Sequence, residues 1–114
     1  MVYTYLRTGD NLNNQLIKSL LDVIILCILR NKPEYGYKLI ADVHKQFGVL
    51  LSPGTLYPLL YRMEKDNLID VLVMDGKKTY RLTKYGEEKV EYLLKYYRRM
   101  LVDLDNFMEK GLSS

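Results

Sequence analysis

Apolar residues recur every three or four positions in four stretches of the chain, and this period predicts four α-helices. We expect the first over residues 14–30, the second over 35–47, the third over 52–67 and the fourth over 83–110. In the first stretch, apolar side chains cover nearly the whole circumference after Leu20, so this helix must be buried on more than one side. The pattern therefore predicts a mainly α-helical domain.

Residues 69–82 alternate on both sides of Asp75-Gly76, a dipeptide that favours a two-residue β-turn. This pattern predicts a β-hairpin whose tip exposes Lys77 and Lys78 to solvent. The pairs expected from this turn are Val73 with Lys78 and Val71 with Tyr80. The face expected to pack on the helices consists of Ile69, Val71, Val73, Tyr80 and Leu82.

The third predicted helix has two chemically different faces. Ser52 is well suited to cap its N-terminus, and apolar residues on one face would join the core. The other face combines hydrogen-bond donors with a proline, namely Thr55, Tyr57, Pro58, Tyr61 and Arg62. Such donors, near free backbone N–H groups that can bind a phosphate, are typical of a helix that enters the DNA major groove. A solvent-exposed face without any ligand would produce the same pattern.

Pro58 leaves the geometry of this helix open, because a proline inside a helix removes one backbone hydrogen bond. If regular helix begins at Thr55, the proline lies in the first turn and costs little. If the helix begins at Ser52, a kink near Gly54 is expected. The residues alone do not choose between the two.

The fourth predicted helix begins after Thr83 and is too long for so small a domain. At 1.5 Å per residue it spans roughly 40 Å, so its distal half should extend beyond the core. An apolar stripe is not left in water, and a second copy of the chain is the simplest partner, although the helix could instead fold back within the monomer. The predicted dimer residues are Leu93, Leu94, Tyr97, Met100, Leu101, Leu104, Phe107 and Met108.

Composition limits the possible functions of this 114-residue chain. The apolar run in the first helix is too short and too polar for a membrane span, and no signal peptide is recognisable, so we expect a cytoplasmic protein. Cys27 and His44 are single residues of their types, and we expect no disulfide and no metal site. No carboxylate pair, Cys-His pair or glycine-rich phosphate motif indicates an enzyme or a cofactor. The net charge of +3 permits a polyanionic partner without requiring one.

The predicted elements divide the chain into three parts. Residues 1–13 form an N-terminal arm, residues 14–82 a winged helix-turn-helix domain, and residues 83–114 a dimerisation helix with a short tail. Arg7 in the arm could reach a DNA minor groove, or the arm could be a frayed terminus.

Four motifs then resemble one family of proteins. They are S-L-L-D-V-I-I-L-C-I-L (Ser19 to Leu29), Y-G-Y-K-L (Tyr35 to Leu39), S-P-G-T-L-Y-P-L-L-Y-R-M-E (Ser52 to Glu64) and Y-R-L-T-K-Y-G (Tyr80 to Gly86). In this order and spacing they resemble the PadR family of transcriptional regulators. The chain departs from the family pattern at Asn67, where glycine is usual, and in its short hairpin, which makes phosphate contact a safer expectation than minor-groove insertion.

The resemblance implies a homodimeric repressor that binds double-stranded DNA at a pseudo-palindromic operator. Carried over by position, the DNA-binding residues are Tyr37, Lys38, Ser52, Gly54, Thr55, Tyr57, Pro58, Tyr61, Arg62, Lys77 and Lys78. Family members commonly bind small planar effectors near the dimer interface. Tyr92, Tyr96 and Tyr97 could line such a site, or they could only pack the interface. The modest charge leaves one alternative, a winged helix that binds another protein and no DNA.

Overall fold

The computed structural model describes residues 12–111 as five helices and three short strands. In chain order these elements are α1 (Leu12–Ser19), α2 (Leu21–Asn31), β1 (Glu34–Tyr35), α3 (Gly36–Phe47), α4 (Pro53–Lys65), β2 (Ile69–Met74), β3 (Lys77–Leu82) and α5 (Lys84–Lys110). The strands form one antiparallel sheet in the order β1-β3-β2. The predicted fold class, a mainly helical winged helix-turn-helix with a long C-terminal helix, is confirmed.

The prediction of one continuous first helix was wrong. The chain bends by 63° at Leu20, between α1 and α2. The Ser19 hydroxyl donates a 2.7 Å hydrogen bond to the Leu16 carbonyl, a bond that competes with the helical ladder and favours a bend. Ile17 of α1 and Leu21 of α2 are both buried in the same core, on either side of the bend.

The boundary of the N-terminal arm also moves, because α1 already begins at Leu12. Asn13 anchors this helix by donating a 3.1 Å hydrogen bond from its side-chain amide to the Phe47 carbonyl. The rest of the predicted arm, including Arg7, lies outside the described residues. No single helix between residues 12 and 111 is long and apolar enough to cross a membrane, and α1 and α2 meet that test only as a bent pair.

Glu34 and Tyr35 form a third strand that the sequence did not predict. Glu34 pairs with Tyr80, and Tyr35 pairs with Thr79, so β1 extends the sheet beyond the hairpin. Glu34 thus belongs to the sheet and precedes α3, which begins at Gly36. It is buried at the sheet edge, 3.7 Å from the Lys32 ammonium group.

The β2–β3 hairpin, called the wing below, has the predicted turn and register. Asp75 and Gly76 have φ angles of 53° and 73°, the positive values that a type I′ turn requires at both central positions. Val71 pairs with Tyr80 as expected. Val73 shares the predicted face, but it is 72% exposed because the tip of the wing extends past the core.

Short-range capping hydrogen bonds end α4 and begin α5. Asn67 has a φ angle of 63°, and the Leu68 and Asn67 N–H groups donate to the Met63 and Glu64 carbonyls, the two bonds of a Schellman cap. The Thr83 hydroxyl accepts from the Gly86 N–H to cap α5, and it donates to the Asn67 carbonyl at 2.6 Å. This side chain therefore fixes the direction of α5 relative to α4.

One core holds these elements together. It takes buried side chains from all five helices of the described part of the chain and from β2 and β3. The largest fully buried residues are Ile25, Leu26, Leu39, Leu56, Leu60, Ile69, Val43, Val49 and Val90. Only the start of α5 joins this core, because every described residue after Tyr97 is exposed. The predicted overhang of the last helix is therefore confirmed.

Candidate nucleic-acid interface

The buried face of α4 fixes which residues the helix exposes. Leu56, Leu60 and Met63 are at most 3% exposed, and they lock the rotation of the helix against the core. On the opposite side, Tyr57 is 40% and Tyr61 is 60% exposed. Pro58 and Arg62 are exposed between and beside these tyrosines. We call these four residues the α4 outer face, and the core holds it rigidly towards solvent.

The N-terminus of α4 is capped by a side chain and is exposed to solvent. The Ser52 hydroxyl accepts a 3.2 Å hydrogen bond from the Thr55 N–H and lies 3.1 Å from the Thr55 hydroxyl. The regular helix begins at Pro53, so Pro58 lies inside it. A Cβ atom placed on the exposed Gly54 would meet only the Ser52 hydroxyl, at 3.8 Å. The backbone at Gly54 is therefore accessible to a phosphate.

The side chain of Tyr57 projects from α4 towards the start of α3. Its ring lies against Gly36, where a Cβ atom would collide with it. A cleft of about 330 Å³ lies beside this contact. It is lined by Tyr35, Gly36, Tyr37, Tyr57, Lys77, Lys78 and Tyr80. This cleft brings together predicted site residues from three elements, α3, α4 and the wing.

A second cleft of about 400 Å³ separates α4 from the wing. It is lined by Tyr57, Tyr61, Glu64, Val71, Lys78 and Tyr80. Burial raises the pKa of the Tyr80 hydroxyl above its ordinary value, and Tyr57 and Glu64 raise it further. Tyr80 therefore stays neutral at physiological pH, and Lys78 and Glu64 are the charged side chains that line this cleft.

Lys77 is exposed, as the sequence predicted, but it also contacts two tyrosine rings. Its ammonium nitrogen lies 5.3 Å from the centroid of the Tyr35 ring and 5.8 Å from that of Tyr37. These two rings are stacked, with centroids 5.6 Å apart and planes 13° from parallel. Sequence reasoning missed Tyr35 as a site residue, because its contact with the wing depends on the unpredicted strand β1.

The other flank of α4 adds a residue that the sequence analysis missed. A cleft of about 280 Å³ is lined by Lys18, Ser19, Leu21, Asp22, Thr55, Leu59 and Arg62. Lys18 lies in the last turn of α1, close to the bend at Leu20. The remaining predicted residues, Tyr37 and Lys38, are both exposed on the first turn of α3.

The single cysteine and histidine have ordinary environments. His44 is exposed, and Cys27 is half-buried against the core. Burial raises the pKa of the Cys27 thiol above its ordinary value, although Arg30 and Arg98 act in the opposite direction. Within residues 12–111, no group of three His, Cys, Asp or Glu side chains could hold a metal ion.

The predicted dimer residues fall into two groups. Leu93 and Leu94 are half-buried against the core of their own chain, so they offer less free surface than the sequence suggested. Tyr97 is half-buried in an edge-to-face contact with Tyr96, at 5.8 Å between centroids. The exposed members are Met100, Leu101, Leu104, Phe107 and Met108.

Comparisons with known proteins agree with this architecture. A solved PadR-like transcriptional regulator from Bacillus cereus is 29% identical, with a TM-score of 0.75 over 82% of this chain and 96% of that one. A solved PadR family regulator from Eggerthella lenta reaches a TM-score of 0.82 over 95% of this chain and 98% of that one, and its 24% identity supports likeness of fold alone. The transcriptional activator GvpE of Haloferax mediterranei is 31% identical over 80 residues, which are 70% of this chain and 41% of the activator.

The sequence model of the transcriptional regulator PadR-like family matches residues 25–92. This match runs from α2 to α5 and includes the complete α4 and wing, so it covers both clefts between α4 and the wing as well as most of the core. The chain therefore belongs to the PadR-like family of transcriptional regulators and is a DNA-binding regulator.

Proposed function

We propose that the protein is a homodimeric repressor that binds a pseudo-palindromic operator through two copies of α4. The observation that carries this proposal is the combination of a rigid outer face on α4 with an apolar stripe on the part of α5 that leaves the core. The first supplies groups that can read DNA, and the second supplies a surface that a second copy can cover.

The apolar stripe of α5 supports the dimer. Leu101 is 65% exposed, and four further large apolar residues of the stripe are also exposed over its last three turns. A contiguous apolar patch of this kind is rarely left uncovered in a monomer. A two-fold axis through such helices would present two copies of α4 to successive major grooves, about 34 Å apart.

The side chains divide into two expected roles. Tyr61 and Arg62 have hydrogen-bond donors on the outer face of α4 and would contact base edges. Ser52, Gly54 and Lys78 border open surface at the helix N-terminus or on the wing, and they would contact phosphates. Tyr37, Lys38, Thr55, Tyr57 and Pro58 would support or extend these contacts.

Replacing Lys78 with glutamine should weaken binding to operator and random DNA by the same factor. The slope of log affinity against log salt should fall by about 0.9, because one phosphate is no longer neutralised. Fluorescence anisotropy titrations at four salt concentrations measure this slope. Lys45→Gln, which removes an exposed charge near the end of α3, is the matched control and should leave the slope unchanged. A larger loss on operator than on random DNA would contradict the assigned role.

Replacing Gly36 with alanine should displace the Tyr57 ring from its place against α3, because the new methyl group would occupy the same space. We expect operator affinity to fall roughly threefold to tenfold, the worth of one displaced polar contact, with little change in thermal stability. The double variant Gly36→Ala, Tyr57→Leu should bind no more weakly than Tyr57→Leu alone. Additive losses in the double variant would show that Gly36 acts by another route.

Repression is the regulatory outcome that we propose. A dimer bound across promoter DNA excludes RNA polymerase by occupancy alone, so repression requires no further protein contact. Transcription in vitro from a promoter that overlaps the bound site should fall as protein is added. A rise in transcript would instead assign the protein to activation, the activity named for GvpE.

DNA binding and the dimer can be tested together. Anisotropy titrations against fragments of the source genome at low and moderate salt should give saturable binding to a few fragments, and sedimentation equilibrium should give a dimer mass. A protein that is monomeric at the concentrations where it binds DNA would refute the dimer. Absence of binding to any fragment at low salt would favour a protein-interaction module instead.

A further inference from the structure

Two neighbouring lysines at the tip of the wing lie on opposite faces of strand β3. Side chains alternate along a strand, so Lys77 and Thr79 point to one face while Lys78 and Tyr80 point to the other. Tyr35 is paired with Thr79, and a residue two positions along the partner strand lies within reach of an aromatic side chain. Strand pairing therefore directs Lys77 to Tyr35 and leaves Lys78 facing α4.

The contact of Lys77 with the two tyrosines has the geometry of a cation–π interaction. Its ammonium nitrogen lies within 6 Å of both ring centroids, at 5.3 Å for Tyr35 and 5.8 Å for Tyr37. The two rings stack on each other, so each restricts the other's rotamer. We call this stacked pair the tyrosine anchor. Since Tyr35 and Tyr37 flank Gly36, the anchor stands beside the glycine against which Tyr57 packs.

We propose that Lys77 is a positioning residue that fixes the wing to the tyrosine anchor, and that Lys78 is the lysine of the wing that neutralises a DNA phosphate. The anchor holds the tip of the wing at a set distance from the start of α3 and hence from α4. A fixed tip keeps Lys78 over the cleft beside Tyr61 before DNA arrives, so less entropy is lost on binding. This inference rests on the proposed binding of DNA by α4 and the wing.

The decisive variant is Tyr35→Leu, because it breaks the anchor without changing any charge. Tyr35 is half-buried and is not among the predicted DNA-binding residues. We expect operator affinity to fall roughly fivefold, the scale of the lost cation–π contacts, with the salt slope unchanged. Tyr35→Phe keeps the ring and should bind like the wild type. If Lys77 contacts a phosphate directly, Tyr35→Leu should leave affinity unchanged, and the proposal fails.

Variants of Lys77 give a second, independent comparison. Lys77→Arg preserves a cation over the rings and should retain wild-type affinity, whereas Lys77→Met should bind roughly fivefold more weakly. Combining Lys77→Met with Tyr35→Leu should cause no further loss, since both remove the same contact. The salt slope of Lys77→Met should change by less than half as much as that of Lys78→Gln. Equal changes in slope would overturn the division of roles.

The anchor can also be observed without DNA. Methylene protons held over an aromatic ring resonate upfield, so the side-chain signals of Lys77 should be shifted in the wild type and in Tyr35→Phe. They should return towards ordinary lysine values in Tyr35→Leu, while the signals of Lys78 should change less than those of Lys77. Unshifted Lys77 signals in the wild type would refute the anchor. Failure of the wild type to bind DNA would refute the proposed function and leave this spectroscopic test in force.

Discussion

Replacing Leu101 with glutamate should convert the protein to a monomer and lower operator affinity at least about 100-fold. In a symmetric interface the substitution occurs twice, and it buries two carboxylates in an apolar contact that cannot pair them. Loss of the dimer then removes the second half-site, and linked binding of two sites typically adds two to four orders of magnitude in affinity. Thermal stability of the single chain should change little, because this part of α5 lies outside the core.

A matched control is available one residue further along the same helix. Val102 is 56% exposed, but it lies away from the stripe, on the side of α5 that carries Arg98, Asp105 and Glu109. Val102→Glu should therefore remain dimeric and bind the operator like the wild type. Sedimentation equilibrium and anisotropy titration measure both properties. A Leu101→Glu protein that is still a dimer would show that another surface joins the two copies.

Replacing Arg62 with alanine should lower operator affinity by about 10-fold to 100-fold and affect random DNA much less. Good bidentate contacts between arginine and a base edge are worth about 1–3 kcal/mol of discrimination. Arg62 is exposed on the outer face of α4, and the buried Leu60 and Met63 on either side of it hold the helix in place. The substitution should therefore leave the fold intact while removing one side chain that contacts a base edge.

Competition between labelled operator and unlabelled random duplex measures this effect as a ratio. Arg99→Ala removes the same charge from α5, where Arg99 is paired with Asp103 at 3.5 Å, and should leave the ratio unchanged. Equal losses on operator and random DNA for Arg62→Ala would make Arg62 a phosphate contact. Tyr61→Leu should shift the ratio in the same direction as Arg62→Ala.

Local chemistry explains why much of the candidate site could be predicted from the sequence. Ser52 caps α4 through a bond that spans three residues, and Asp75-Gly76 sets the register of the wing through its own backbone angles. The spacing of Leu56, Leu60 and Met63 decides which face of α4 is buried. Each of these determinants lies within a few residues of the feature that it controls, so the sequence alone reveals it.

Features that depend on distant contacts escaped prediction. Strand β1 is only two residues long and forms by pairing with β3. Two residues are too few to show the alternation of apolar and polar side chains from which a strand is predicted. The bend at Leu20 separates α1 from α2, which both contribute to one core, and the nearby Lys18 lines the cleft at the flank of α4. The contact between Lys77 and Tyr35 could not be predicted for the same reason, because it depends on the pairing of β1 with β3.

The predicted extent of the dimer surface illustrates a related limit. A stripe at helical spacing predicts that residues share a face, but it does not divide that face between the chain's own core and a partner. In α5 the change occurs near Tyr97, since Leu93 and Leu94 pack inward and Met100 is exposed. Only the position of α5 on the domain, fixed by Thr83 and Gly86, determines where the core ends.

The most direct test of the proposed regulator is selection of bound sequences from random duplex DNA by the full chain. A homodimer that reads DNA with two copies of α4 should enrich two inverted half-sites whose centres lie about 10 base pairs apart, one turn of the double helix. Enrichment of a single, unrepeated half-site, or of no sequence at all, would contradict the proposed operator and the paired helices that read it.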